Sequence, residues 1–459
     1  MAHNLIARAR KDTVPIAVIA ADKIEAWSRT LSKARRDWLT GAGFTGNAGA
    51  SALIPADKGG VEQVIFVIDD TTDMWSWSLL ATQLPMGSYK LAGRLSQAIV
   101  NDAAQGWGLS AYEFTRYRKA RVNCPELVWP TNADRAQCIA MLDATELVRD
   151  LINTPAEDLG PSELADEVRK VGRKFKAKVR VTAGDALLKA NYPMIHTVGR
   201  AADDAPRLVD LRWGTRGPRV TLVGKGVCFD TGGLDLKSAA GMLRMKKDMG
   251  GAAHALALGQ LIMAAKLPVR LRVLIGAVEN SVAGNAYRPW DVLQTRKGIT
   301  VENANTDAEG RLVMGDCLAE ACTEKPDLLL DFATLTGAAR VAVGTGIAAV
   351  FANDDKLYSD LEKHADVTAD PVWRLPLHKP YRALIESNVA DVSSASDGPF
   401  GGAITAALFL QEFVDDDVPW AHFDIMAWNV GSKPGRPTGG EAMGLRAAYA
   451  MIADRFGRK

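Results

Sequence analysis

The chain is 459 residues long, too long for one ordinary core and comfortable for two domains. Hydrophobic residues make up 47% and charged residues 24%, which excludes disordered, collagen-like and coiled-coil chains. With 55 Lys and Arg against 54 Asp and Glu, the formal net charge of +1 removes the electrostatic footprint of a dedicated nucleic-acid binder.

Arg8, Arg10 and Lys11 precede the apolar run 15–21, an order that superficially resembles a signal peptide. The run is short and meets Asp22, Lys23 and Glu25 directly, so it is expected to be a first β-strand. Val64–Ile68 reads as a buried strand ended by Asp69 and Asp70. Trp75 and Trp77, two apart, are expected on an extended segment, filling one face of a small core. A helix over 132–153 carries Met141, Leu142, Leu147, Val148, Leu151 and Ile152 at helical spacing and joins the domains expected over 1–150 and 151–459.

A second helix follows Pro161, with Leu164, Val168, Val171 and Phe175 on one face. Its end holds the densest basic cluster, Arg169 to Arg180, expected to be a solvated face whose cations suit the negative end of the helix dipole. Beyond residue 180, strand-like segments at 219–223, 269–278, 328–333 and 421–426 alternate with helical stretches near 250–265 and 312–323. This is the pattern of an α/β fold: a mostly parallel, helix-covered sheet in the C-terminal domain, beside a smaller N-terminal α/β domain. In such sheets ligands gather outside the C-terminal ends of strands.

No apolar run reaches the roughly 20 residues that a membrane helix needs. The longest, 341–352, contains Gly344 and Gly346. The five cysteines form no C-x-x-C pair, so neither a disulfide framework nor a thiolate zinc site is expected, and a reducing cytoplasmic setting fits best.

Three segments set charges beside strand ends and helix starts: Lys225 and Asp230 within GKGVCFDTGG, Asp248 within KKDMGG, and Asp307, Glu309 and Arg311 within NTDAEGR. Read as an extended stretch, the last would turn Asp307, Glu309 and Arg311 to one face. Four carboxylates converging in a partly buried site need cations, and they overcompensate a single divalent ion. A phosphate cradle would show G-x-x-x-x-G-K-[ST], a single-zinc protease H-E-x-x-H, and neither is present.

GKGVCFDTGG, DMGG and NTDAEGR, in this order, resemble the signature segments of the leucyl (cytosol) aminopeptidase family, peptidase family M17, over roughly 140–450. The tail around Gly439–Leu445 looks closer to its bacterial peptidase B-like branch. The resemblance implies a metal-dependent exopeptidase that releases leucine-like N-terminal residues from peptides. By the matching positions, Lys225, Asp230, Asp248, Asp307 and Glu309 would hold two divalent ions, Mn²⁺ or Zn²⁺, with a bridging hydroxide as nucleophile. Lys225 must be neutral to ligate, a state favoured by burial beside two dications. The simpler reading of Lys225 is an ion pair with Asp230.

Lys237 and Arg311 match the family's catalytic positions, Lys237 stabilising the oxyanion and Arg311 holding a bicarbonate. Met245, Thr334 and Gly337 would line the pocket for the first side chain, and the backbone of Leu335 would touch substrate. A homo-hexamer is implied. Two other functions were open to the same residues: a two-metal phosphoesterase, and a non-catalytic assembly or DNA-binding member. Cys228 shares a strand face with Asp230 but reads as an inert thiol, and His254 and His422 read as structural. Asp235, two before Lys237, reads as outward-facing, with pairing to Lys237 the alternative.

Overall fold

The computed structural model describes residues 3–56, 59–120 and 124–457. Contacts divide the chain into two units, Met1–Asp143 with Gly431–Thr438, and Ala144–Val430 with Gly439–Lys459.

The first unit is built on six strands, β1 (Leu5–Ile6), β2 (Val14–Ala20), β3 (Ser51–Pro55), β4 (Val61–Ile68), β5 (Ser88–Ala92) and β6 (Glu126–Val128). Their order is β1-β6-β5-β2-β4-β3, parallel except for the β3–β4 pair. The apolar runs at 15–21 and 64–68 are therefore both strands. Trp75 and Trp77 are not on an extended segment; they lie on the Met74–Gln83 helix. Asp73 decides this by capping it, its carboxylate accepting the N–H groups of Trp75 and Ser76 at 3.0 Å each. A helix turns residues two apart by about 200°, so the indoles part. Trp77 packs on Phe66, ring centroids 4.7 Å apart, and Trp75 lies 4.1 Å from the Arg436 guanidinium.

The second unit contains β7 (Lys178–Ala183), β8 (Arg207–Trp213), β9 (Arg219–Asp230) and β10 (Arg270–Asn280). A small sheet of β11 (Val292–Gln294), β12 (Thr300–Glu302) and β16 (Val392–Ser393) lies between later elements. The main sheet is completed by β13 (Leu328–Ala333), β14 (Ala348–Ala352), β15 (Val372–Arg374) and β17 (Trp420–Asp424), in the order β15-β14-β17-β13-β9-β10-β8-β7. The four central strands run parallel, and β7, β8 and β14 join antiparallel to their inner neighbours. β9 is buried along almost its whole length, as a strand covered on both faces must be.

The Gly250–Ala264 helix is apolar all round and buried but for its last residue, a core helix packed on the sheet. Its approach depends on Gly251, where a Cβ would meet the Phe332 carbonyl oxygen at 2.0 Å. The Pro161–Phe175 helix buries Leu164, Val168 and Val171 and turns its cations outward. There Arg169 and Lys170 pair with Asp166 and Glu167 at 2.7 and 2.6 Å, the solvated face expected of this cluster. Among the described residues no helix is long and apolar enough to cross a membrane. All five cysteines are buried free thiols.

Candidate functional site

The parallel strands deliver their C-terminal ends to one cavity of about 490 Å³. Lys225 and Asp230 both line it, although five residues along an unbroken strand point to opposite faces. A β-bulge resolves the contradiction. Val227 pairs with Val278, but the next partners are Asp230 and Asn280, so β9 spends three residues where β10 spends two. The bulge also corrects the expectation for Cys228, which does not share the face of Asp230 and does not line the cavity. Burial first, then Glu279 and Asp204, hold its thiol well above the ordinary range, leaving it inert.

Asn305 to Arg311 is not extended. The Asn305 side chain accepts the Asp307 N–H at 2.8 Å and caps a tight 3₁₀ turn, Thr306–Ala308, which runs into the Glu309–Cys322 helix. Asp307, Glu309 and Arg311 still line the same cavity, because the turn and the first helical residues wrap around it. Gly310 makes room, since a Cβ there would meet Lys225 Cε at 2.5 Å.

Asp230, Asp307 and Glu309 each offer an oxygen within 4.8 Å of the others, and Asp248 joins them from a 3₁₀ turn, Met245–Met249. Lys225 does not pair with Asp230; its Nζ lies 2.7 Å from Asp248 and 2.9 Å from Glu309. Lys237 takes Asp230 instead, at 2.8 Å, and also Asp307. Burial alone would lower both ammonium groups, but their carboxylate partners outweigh it and raise them. Burial, then repulsion from Asp230, pushes Asp307 up to about 6 and Glu309 well above the carboxylate range.

Two lysines thus leave the four carboxylates undercompensated. Glu309 Oε2 is buried with no hydrogen-bond donor among the described residues, so the cluster fits divalent cations.

Arg311 is buried beside this cluster. Its Nη1 donates to the Ser394 carbonyl at 2.5 Å, while Nε has no acceptor among the described residues, and burial lowers its pKa to about 10. Met245 and Gly337 line the cavity, and Thr334 donates to Asp248 Oδ1 at 2.8 Å, fixing that carboxylate. The Leu335 N–H is already committed to Asp424 at 3.0 Å. Asp235 is exposed, as expected, and the Lys237 ammonium pairs with Asp230 and Asp307 instead; the Asp235 carboxylate accepts the Thr306 N–H at 2.7 Å, and its own N–H donates to Thr306 Oγ1 at 2.8 Å.

Sequence reasoning missed three residues. Asp424 accepts from Leu335 N–H, Thr336 N–H and Thr336 Oγ1, holding the 334–337 segment. Its signal was its place near the end of a predicted strand. Asn280 steadies Asp230 through a 2.8 Å bond from Nδ2, and Lys247 lines the cavity, its ammonium pushed down to about 8 by burial. His254 and His422 are structural: His254 bonds Gly250 O and Met443 N–H, and His422 bonds Asp331 at 2.6 Å.

The model of the cytosol aminopeptidase family catalytic domain matches residues 146–449, and that of the M17 aminopeptidase N-terminal domain matches 14–130. The chain belongs to the M17 cytosol aminopeptidase family. A probable cytosol aminopeptidase of Leifsonia xyli is 37% identical, over 93% of each chain, and one of Rhodococcus jostii is 35% identical, over 91% of this chain and 88% of that one. The solved cytosol aminopeptidase of Coxiella burnetii is 47% identical with a TM-score of 0.93 over 99% of each chain. The bottromycin maturation enzyme BotP, solved in complex with Mn, is 31% identical with a TM-score of 0.85, covering 96% of this chain and 99% of that one. As an M17 cytosol aminopeptidase the chain is a hydrolase of peptides and metal-dependent.

Proposed function

We propose that this aminopeptidase removes leucine-like N-terminal residues with two divalent ions, Mn²⁺ or Zn²⁺, held by Lys225, Asp230, Asp248, Asp307 and Glu309. The observation that carries the reading is the buried Glu309 Oε2, without a donor among the described residues, clustered with Asp230 and Asp307 in the cavity that Asp248 also lines. Bound there, a pair of divalent cations supplies Lewis acidity toward the scissile carbonyl and activates the attacking water.

The chain's own residues do the rest. Met245 and Gly337 line the space for the first side chain, and Thr334 keeps Asp248 oriented while its carbonyl accepts from Lys225 at 3.2 Å. With the Leu335 N–H occupied, its carbonyl remains to orient the substrate backbone. Lys237 carries a positive charge to the developing oxyanion. Arg311, whose Nε has no acceptor among the described residues, is the residue to hold a bicarbonate, a base able to carry the proton.

Further elements of this reading are a homo-hexamer, a cytoplasmic location and a catalytic domain over 151–459 beside an N-terminal domain over 1–150. The test is hydrolysis of leucyl p-nitroanilide by chelator-treated protein. Activity should be absent, return with Mn²⁺ or Zn²⁺, and not extend to p-nitrophenyl phosphate. Silence with every metal would sink the aminopeptidase reading, and phosphate hydrolysis would favour a phosphoesterase.

A further inference from the structure

The basic run from Arg169 to Arg180 does not stay on one element. Its first part lies on the Pro161–Phe175 helix, which stops at Lys176, whose left-handed backbone (φ 58°) turns the chain into β7. Lys178 then belongs to an outermost strand of the main sheet, and the register gives it company. It stands opposite Arg212 on β8, Arg212 stands opposite Arg272 on β10, and two residues back along β10 Arg270 stands opposite Arg219 on β9. All five share one face of the sheet. Like charges set directly opposite one another destabilise a sheet unless something neutralises them.

Part of that neutralisation is internal. Asp210 pairs with Arg272 at 2.7 Å and with Arg212 at 3.1 Å, Glu324 pairs with Arg212 at 2.7 Å, and Glu320 is taken by Arg272 and Arg296. These three carboxylates line two neighbouring cavities of about 450 and 530 Å³, and all three are engaged. Four cations of the smaller cavity are left over. Among the described residues Lys176 and Lys178 have no ion-pair or hydrogen-bond partner, and the guanidinium groups of Arg219 and Arg270 donate only to the carbonyls of Glu324 and Gly217, at 2.8 Å each.

The reaction at the carboxylate cluster cannot use them. Arg219 opens β9 and Asp230 closes it, which puts the two ends roughly 30 Å apart by strand rise. From Lys178 on β7 to Arg219 on β9 the unpaired charges spread over roughly 14 Å of sheet, three strand spacings. A lone phosphate brings only about two negative charges to these four cations. A chain of linked phosphates matches both their number and their spread.

We propose that this cavity binds a linear triphosphate chain, free or carried by a nucleoside, through Lys176, Lys178, Arg219 and Arg270. The lysines meet the phosphate oxygens as point charges and the arginines as two-pronged donors. A bound chain also removes the repulsion along the row, so it stabilises the folded protein.

Sodium tripolyphosphate, and separately ATP, is titrated by calorimetry into metal-loaded protein as wild type, as Lys178→Gln with Arg270→Gln, and as Arg169→Gln with Lys170→Gln. The last pair loses the same two charges from the helix face, and any withdrawal of metal by the anion is common to all three, so the comparison isolates the cavity. Affinity should fall about tenfold or more in the cavity variant and less than about twofold in the helix variant. Tripolyphosphate should also raise the melting temperature of chelator-treated wild type, a readout that needs neither variant nor metal. Equal affinity for ATP and tripolyphosphate assigns the site to the phosphate chain alone, and tighter ATP assigns it to a nucleotide. Failure of tripolyphosphate to bind wild type overturns the proposal, even if duplex DNA is retained. Equal weakening in the two variants overturns it as well, by reducing the effect to net charge.

Discussion

The two units solve the same folding problem with opposite uses of charge. Each covers a largely parallel sheet with helices, and in each the strands are built from β-branched and apolar runs. The N-terminal unit fills its interior with large apolar rings, Trp77, Trp107 and Phe66 among them. The second unit buries Lys225, Asp230, Lys247, Asp248, Glu309, Arg311 and Asp424 near the ends of its strands. Architecture alone therefore says little about chemistry; the difference lies in which side chains the strand ends carry. One unit keeps its stabilisation in packing, and the other gives some of it up to keep ionised groups out of water.

That contrast can be broken by substitution. The largest effect should come from Trp77→Ala, which removes a fully buried indole from the first unit. A loss of about 3–5 kcal/mol in urea unfolding is expected, with Mn²⁺ affinity by calorimetry unaltered. A loss under about 1 kcal/mol would mean the ring is not part of a packed core.

Glu309→Gln should behave in the opposite way. Activity falls by about 10²-fold or more, while the melting temperature of the metal-free protein does not drop, because the substitution neutralises a buried carboxylate whose Oε2 has no donor among the described residues, and Lys225 keeps Asp248 as a partner. Clear destabilisation of the metal-free variant would show that the carboxylate supports the fold.

The smallest effect belongs to Asp235→Ala, which frees the Thr306 turn that carries Asp307. Mn²⁺ affinity should weaken about tenfold, as for partners that orient ligands without touching the metal. Unchanged affinity would reduce Asp235 to a surface residue.

Much of this contrast was legible in the sequence, and the parts that were not have identifiable causes. The central strands, the core helix after Asp248 and the carboxylate convergence follow from periodicity and composition. Trp75 and Trp77 were misread because a single cap, Asp73, outweighs the strand preference of two aromatic residues. The NTDAEGR segment defeated an alternation argument because Asn305 caps its own turn, and such side-chain-to-backbone bonds leave no periodic trace. Asp424 lies outside the carboxylate motifs, and only the sheet order brings it to the same cavity as Asp230, whereas Lys247 stands inside KKDMGG next to Asp248 and carries no motif signal of its own.

The extra residue in β9 has a consequence for anyone who would move this site elsewhere. It works as a phase change: before it, odd-numbered positions share the face of Lys225, and after it, the even-numbered Asp230 comes to the same cavity. A regular strand carrying the same letters would send Lys225 and Asp230 to opposite sides of the sheet. Deleting one residue between Val227 and Asp230 should therefore disperse the carboxylates while leaving every one of them in the chain. A graft onto another parallel sheet must carry the irregularity along with the ligands.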